Sequence, residues 1–233
     1  MLCQVAELLV EIPAADGMDR RCRDYRTESA LPADIVIRRE DYQPEAWPTL
    51  SEDYMAYMES GIQFYLGLLG FRGLMLHASA VEYEGRAYLF SGPCGAGKST
   101  RTRLWHDQFG AVIFNDDKPA LRRLEEGWYA YGTPWCGKDG INQNRKVSLG
   151  GICFLHRDDE TIQIRPMEPL AAIRSIMSQT FYQLWPRQMD RLLPLVEGLV
   201  TEIPIFEMSG PPNQETAVLC RDTMARSAKE RFG

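Results

Sequence analysis

The sequence predicts an α/β fold, a mixed and partly antiparallel sheet carrying a phosphate-binding loop, with a small N-terminal β-rich lobe in front of it. Three observations predict it. The run GPCGAGKS, Gly92 to Ser99, directly follows the apolar stretch Ala87 to Phe90 and opens a helix-compatible segment. Several short β-type runs meet at acidic or glycine turns, which is the pattern of hairpins rather than of regular βα units. The last third reads as helices around a single strand. A chain of 233 residues is long enough to bury roughly 70% of its unfolded surface without staples.

Taken in order, residues 1–50 are expected to form the β-rich lobe and 51–233 the core. Short β-like runs, Val5 to Ile12 and Asp34 to Arg39, are separated by Pro13, Gly17, Pro32, Pro44 and Pro48. From Ser51 a helix is predicted, with a capping serine, an acidic first turn, and Tyr54, Tyr57, Met58, Ile62, Tyr65, Leu66 and Leu69 at helical spacing. Gly70 and Gly73 end it, and the aromatic stripe reads as core. The segment Leu74 to Tyr83, the Glu84-Gly85 turn and Arg86 to Phe90 read as a hairpin feeding the glycine-rich loop. A helix over Thr100 to Gln108 follows, then a strand Ala111 to Phe114 that ends in Asn115-Asp116-Asp117. Two further strand pairs are expected: Pro119 to Leu124 with Gly127 to Gly132, and Lys146 to Arg157 with Thr161 to Pro166 around Asp158-Asp159-Glu160. Helices over Pro169 to Leu184 and Arg187 to Val200, a strand Ile203 to Met208 and a helix Gln214 to Phe232 complete the chain.

The chemistry concentrates around the glycine-rich run. Gly92, Gly95 and Gly97 allow a tight turn whose N–H groups, with those of Pro93's successors Cys94 and Ala96, converge on an anion at a helix N-terminus. In such a loop Lys98 reaches the β- and γ-phosphates, Ser99 offers its hydroxyl to Mg²⁺, and Thr100 follows in the first helical turn. Cys94 lies inside the loop, before the helix N-terminus. An apolar strand ending in acid supplies hard oxygen ligands opposite Ser99, so one of Asp116 and Asp117 is expected to hold the metal and the other to face the acceptor and take its hydroxyl proton. Adjacent residues on extended chain point to opposite faces, which separates the two tasks. The loop Thr133 to Asn144 is long for a compact domain. Within and beside it, Trp135, Gly137, Lys138 and Arg145 are candidates for the acceptor site, with Lys138 or Arg145 neutralising charge on a transferred phosphoryl group.

His77 precedes Gly92 by fifteen residues in HASAVEYEGRAYLFSG, and GKST and then Asp116-Asp117 follow. On its own a histidine in an apolar strand is more often a hydrogen-bonded core residue than a catalyst. Together these residues resemble the catalytic domain of HPr kinase/phosphorylase over about residues 74–118, and more loosely to 210. The resemblance implies a fold related to phosphoenolpyruvate carboxykinase, with His77, Lys98, Ser99 and Asp117 at the phosphotransfer centre and Asp117 as the base, which leaves Asp116 with Ser99 to hold the metal. It also implies ATP and Mg²⁺ as cofactors and raises the prospect of a homo-oligomer. The chain departs from the family at Ser99-Thr100, where the family has Ser-Glu, and in GTPWCGKDG, which replaces an acidic metal-binding signature. IPIFEMSGPPN, Ile203 to Asn213, lacks the family's arginines. The pattern is closer to the shorter HPr-kinase-related proteins, including lasso peptide tailoring kinases, and gives no support to a reverse phosphorylase reaction.

Composition narrows the partners. The formal charge of −6, from 32 acidic and 26 basic residues, argues against a nucleic-acid surface. The apolar stretch near the N-terminus is too short for a signal or a membrane span, so a cytoplasmic location is expected. Six cysteines show neither C-x-x-C pairs nor zinc spacing, and no disulfide framework is expected. The expected activity is ATP- and Mg²⁺-dependent phosphorylation of a hydroxyl, on a serine of a peptide or small protein or on a small metabolite. The alternatives are a nucleotide-binding regulatory module and an ATPase without an acceptor.

Overall fold

The computed structural model describes residues 1–46, 48–158, 160–180 and 186–233. The chain begins with a three-stranded sheet of β1 (Leu2–Val5), β2 (Leu8–Glu11) and β3 (Ile35–Val36), with helix α1 (Asp16–Arg21) between the last two strands. The expected strand Val5 to Ile12 is broken, because Ala6 and Glu7 form the β1–β2 turn at φ of 52° and 61°. Left-handed backbone in two non-glycine residues is costly. Here Glu7 is anchored by Tyr131 Oη at 2.6 Å and Lys146 Nζ at 2.9 Å.

Helix α2 (Glu52–Leu68) starts where its cap predicts, with Ser51 Oγ accepting from Tyr54 N. The strands that follow are β4 (Gly73–Met75), β5 (Ala78–Tyr83), β6 (Arg86–Ser91), β7 (Val112–Asn115), β8 (Ala120–Arg123), β9 (Trp128–Tyr131), β10 (Lys146–Leu155), β11 (Gln163–Pro166) and β12 (Ile205–Ser209). They form one sheet in the order β4-β8-β9-β10-β6-β5-β7, with β12 added to β10 and β11 to β12. Helices α3 (Lys98–Phe109), α4 (Pro169–Gln179), α5 (Pro186–Glu202) and α6 (Gln214–Phe232) complete it. Of the helix expected over Pro169 to Leu184, residues 181–184 lie outside the described residues, as does Asp159 of the expected acidic turn.

Strand β6 is buried on both faces and alternates accordingly. Ala87 and Leu89 join a core shared with α2, α4, α5 and the N-terminal sheet, while Tyr88 and Phe90 join a second core with Trp105 of α3 and Cys220 and Met224 of α6. β10 runs parallel to β6 and β12 and antiparallel to β9. It changes register with β6 between Leu149 and Gly151. Gly150 makes this possible, since a Cβ there would meet Arg86 Cβ at 3.0 Å.

Two expected pairings differ. β10 and β11 are not a hairpin, because β12 inserts between them, parallel to one and antiparallel to the other. The expected single strand Leu74 to Tyr83 is two: β4 pairs with β8 while β5 pairs with β6 and β7. Leu76 and His77 carry the chain from β4, at one end of the sheet order, to β5, which lies beside β7 at the other, a step that two residues can span only because the sheet curls. The residues between β7 and β8 cross beside them, with Leu76 N donating to Pro119 O and Ala78 N to Asp117 O at 2.9 Å. This seam places His77 next to Asp117.

Candidate active site

The glycine-rich loop leaves the carboxyl end of β6 and enters α3. Gly92, Gly95 and Gly97 have φ of 142°, 77° and 91°, conformations that L side chains rarely adopt. Space reinforces this at two of them: a Cβ on Gly92 would sit 3.0 Å from Leu155 O, and one on Gly95 would sit 2.8 Å from the Arg157 guanidinium. Arg157 also donates to Cys94 O. Inside the turn, Lys98 Nζ donates to Gly92 O at 2.9 Å and Pro93 O at 3.3 Å. Burial lowers the Lys98 pKa, opposed by the Asp117 charge. Ala96 N donates to Pro93 O. Gly97 caps α3 without any side-chain bond, and no acidic residue stands in the first turn. The first N–H groups of a twelve-residue helix are thereby left for a ligand on this edge.

A cleft of about 670 Å³ lies over the loop, lined by Cys94, Gly95, Lys98, Ser99 and Thr100 on one side and by His77, Asp116 and Asp117 on the other. The two aspartates take different partners. Asp116 is buried and accepts from Gly137 N at 2.5 Å; burial and the neighbouring Asp117 charge push its pKa up. Asp117 sits at the seam, where His77 Nε2 is 3.3 Å from its Oδ1 and Lys118 Nζ 3.3 Å from its Oδ2. The Tyr57 hydroxyl donates toward the same Oδ2 at 3.1 Å and itself accepts from Lys118 Nζ at 3.3 Å. Burial alone would raise the Asp117 pKa, yet the hydrogen bond from His77 and the Lys118 charge outweigh it and bring it down to about 2. Gln179 Oε1 lies 3.2 Å from His77 Nδ1 and fixes the ring from its other side.

The 133–144 loop is stitched to the sheet. Asn115 bridges to Asn142, and Gln143 N donates to Phe114 O. Gly132 permits the approach, as a Cβ there would lie 1.8 Å from Gln143 O. Of the four acceptor-site candidates, Gly137 and Lys138 line the cleft. Trp135 is fully buried, stacked on Phe64 at 4.5 Å with its Nε1 donating to Ser60 Oγ, and serves as a packing anchor. Arg145 turns away to pair with Glu82 at 2.9 Å, outside the residues that line the cleft.

Several side chains of the site carry little or no signal in the sequence. Tyr57 belongs to a helical stripe that reads as core, and most of its ring is core. Lys118 carries a local signal, since it directly follows the aspartate pair. Gln179 lies 102 positions from His77 and carries none. Arg103 reaches Asp139 across the cleft at 2.5 Å, and Arg21 donates to Cys136 O at 2.6 Å.

Ser99 and Asp116 face one cleft, and no cluster of three or more His, Cys, Asp or Glu that could hold a metal ion occurs among the described residues. One hydroxyl and one carboxylate fit Mg²⁺ held mainly by phosphate oxygens and water, rather than a metal caged wholly by protein. Among the described residues no helix is long and apolar enough to cross a membrane.

No family model matches the chain, and no curated protein matches it. Among solved structures it is similar to the HPr(Ser) kinase/phosphatase from Coxiella burnetii, at 11% identity and a TM-score of 0.37, covering 68% of this chain and 92% of that one. At this distance the likeness carries no argument about the chemistry.

Proposed function

We propose that the protein is an ATP- and Mg²⁺-dependent phosphotransferase that phosphorylates a hydroxyl, on a peptide or small protein or on a small metabolite. The observation that carries this reading is the wall opposite the glycine-rich loop. There a carboxylate held ionised between His77 and Lys118 faces the same cleft as Lys98 and the open N-terminus of α3. A site that only sensed a nucleotide would need the loop and a metal ligand, and would have no use for a second, separately supported carboxylate.

Each residue has a part that follows from its position. The loop N–H groups and Lys98 would hold the donor's phosphates, and Lys98 would leave the Gly92 and Pro93 carbonyls to do so. Ser99 and Asp116 would hold Mg²⁺, which when bound supplies neutralising charge to the phosphate oxygens. Asp117 would accept the hydrogen bond of the acceptor hydroxyl and, as transfer completes, its proton. A carboxyl brought down to about 2 is a weak proton sink. It suffices because phosphoryl transfer passes through a loose transition state in which orienting the hydroxyl matters more than early deprotonation. His77, Lys118 and Tyr57 hold that carboxylate in place.

The test is incubation with γ-labelled ATP, Mg²⁺ and a panel of hydroxyl acceptors. Label on an acceptor, lost in Asp117→Asn, supports the reading. Release of free phosphate alone would make the protein an ATPase, and neither product would leave a binding module.

A further inference from the structure

Helix α1 brings two arginines to the edge of the loop cleft. Arg20 and Arg21 line a cavity of about 370 Å³ together with Ser51, Asp53 and Asn142, and this cavity shares Arg21, Tyr54, Tyr57 and Cys136 with the cleft. The two spaces therefore adjoin, with Arg21 in the wall common to both. The path from Arg21 to Asp117 is one side chain long: the guanidinium lies over the Tyr57 ring at 4.6 Å, and the Tyr57 hydroxyl is 3.1 Å from Asp117.

Arg21 is held in place without being neutralised. Its Nη1 donates to Cys136 O at 2.6 Å and to Cys136 Sγ at 2.9 Å, and Asn142 Nδ2 fixes the backbone by donating to Arg21 O at 3.0 Å. Among the described residues neither Arg20 nor Arg21 has a carboxylate within ion-pair distance, whereas Arg103 in the same cleft pairs with Asp139. Asp53, which also lines the cavity, accepts from Gly17 N at 3.4 Å instead. Ser51 Oγ accepts from Tyr54 N, which leaves its own O–H free to donate. A stacked, half-buried guanidinium with N–H groups to spare beside a cavity is prepared for an oxyanion, because it is ordered in advance and already partly stripped of water.

Resting on the phosphotransferase reading, we infer that the acceptor carries an anionic group, a carboxylate or a phosphate, in addition to its hydroxyl, and that Arg21, with Arg20 beside it, binds that group in the cavity against α1. The anion and the hydroxyl lie about the length of the Tyr57 ring apart, so that one end pairs with Arg21 while the other meets Asp117. The acceptor oxygen forms the new bond to the γ-phosphorus as the bond from that phosphorus to the β,γ-bridging oxygen breaks. The hydroxyl proton passes to Asp117, and ADP leaves with the electron pair of the broken bond. Arg21 exchanges no proton: it holds the acceptor and offsets the repulsion between an anionic acceptor and the donor's phosphates.

The test measures kcat/KM with γ-labelled ATP and Mg²⁺ for pairs of acceptors that differ in the anionic group. The pairs are γ-hydroxybutyrate against its amide, α-glycerophosphate against glycerol, and serine peptides with a nearby aspartate against the same peptides with asparagine. The first two stand for a small metabolite and the third for a peptide, so the pair that takes label names the source of the anion. The anionic member is expected to exceed the neutral one by about tenfold or more, the worth of a charge-assisted hydrogen-bonded pair. Arg21→Gln should bring that ratio to within about threefold. Arg20→Gln, at an exposed position that leaves the Cys136 and Tyr57 contacts of Arg21 intact, should lower it in the same direction, with thermal melting showing that both variants are folded. Arg38→Gln, outside the cavity, should leave the ratio as it is. Equal transfer to both members of every pair, or a ratio unmoved by Arg21→Gln and Arg20→Gln, would overturn this inference and leave the kinase reading standing. A raised KM for ATP in Arg21→Gln with the ratio unchanged would do the same, by assigning Arg21 to the donor. No label on any acceptor would overturn both.

Discussion

Replacing Asp117 by asparagine should cost about 2 kcal/mol of stability at neutral pH, and the cost should vanish in acid. The magnitude follows from the surroundings of the carboxylate. His77 at 3.3 Å, Lys118 at 3.3 Å and the Tyr57 hydroxyl at 3.1 Å overcome burial and bring the pKa from 3.8 to about 2. A tenfold change in proton affinity is worth about 1.4 kcal/mol, so the ionised group contributes about 2 kcal/mol. Because the folded-state value lies below the unfolded one, the contribution is complete above the unfolded pKa and is lost as pH falls through the folded value. Asp116, which burial shifts upward, is present in both proteins. Urea unfolding of wild type and Asp117→Asn from pH 7 downward reads the difference directly. It should hold nearly constant to about pH 4 and shrink to roughly half by pH 3. A difference that stays constant to pH 3, or that is absent at pH 7, would refute the seam as the source of the low pKa.

Other variants probe separate parts of the site and its supports. Tyr57→Phe removes a hydroxyl donating to a charged carboxylate and should lower the rate of phosphoryl transfer by about tenfold in single-turnover assays; an unchanged rate would remove Tyr57 from the site. Gly61→Ala would place a Cβ 3.0 Å from Cδ1 of the fully buried Trp135. Despite the better helix propensity of alanine, it should destabilise by about 1–2 kcal/mol in urea unfolding, and a stabilised variant would mean that the indole can move aside. Lys98→Ala should lose on the order of 10² to 10³-fold in phosphotransfer, and full retention would show that the loop is not the donor site. Arg145→Ala should leave phosphotransfer within about twofold, because Arg145 is paired with Glu82 outside the cleft; a loss of an order of magnitude or more would bring it back into the site.

Much of the frame is legible in the sequence because it is written locally. The Ser51 cap, the Glu84-Gly85 turn with its two left-handed residues, the glycines of the 92–97 loop and the strand ending in two aspartates are signals a few residues long. What is not legible depends on which distant segments meet. Leu76 and His77 carry no breaker, yet the chain changes from one end of the curled sheet to the other there, because the carbonyls of Pro119 and Asp117 receive backbone donors from Leu76 and Ala78. The same distance hides β12 between β10 and β11, and Gln179 behind His77. The Ala6-Glu7 turn is hidden for another reason: neither residue favours left-handed backbone, and the partners that hold Glu7 are Tyr131 and Lys146. Trp135 carries an aromatic signal in an unusual loop, which suits a binding surface and a packing anchor equally until Phe64 and Ser60 are seen beside it.

The phosphotransferase reading stands first of all on the glycine-rich loop holding a nucleotide by its phosphates. Calorimetric titration of ATP with Mg²⁺ into the wild-type protein and into Lys98→Ala measures this. One saturable site is predicted, weaker for AMP than for ATP and weakened about tenfold or more in the variant, since a charged contact to phosphate is lost. Absence of saturable binding, or equal affinity in both proteins, would contradict it.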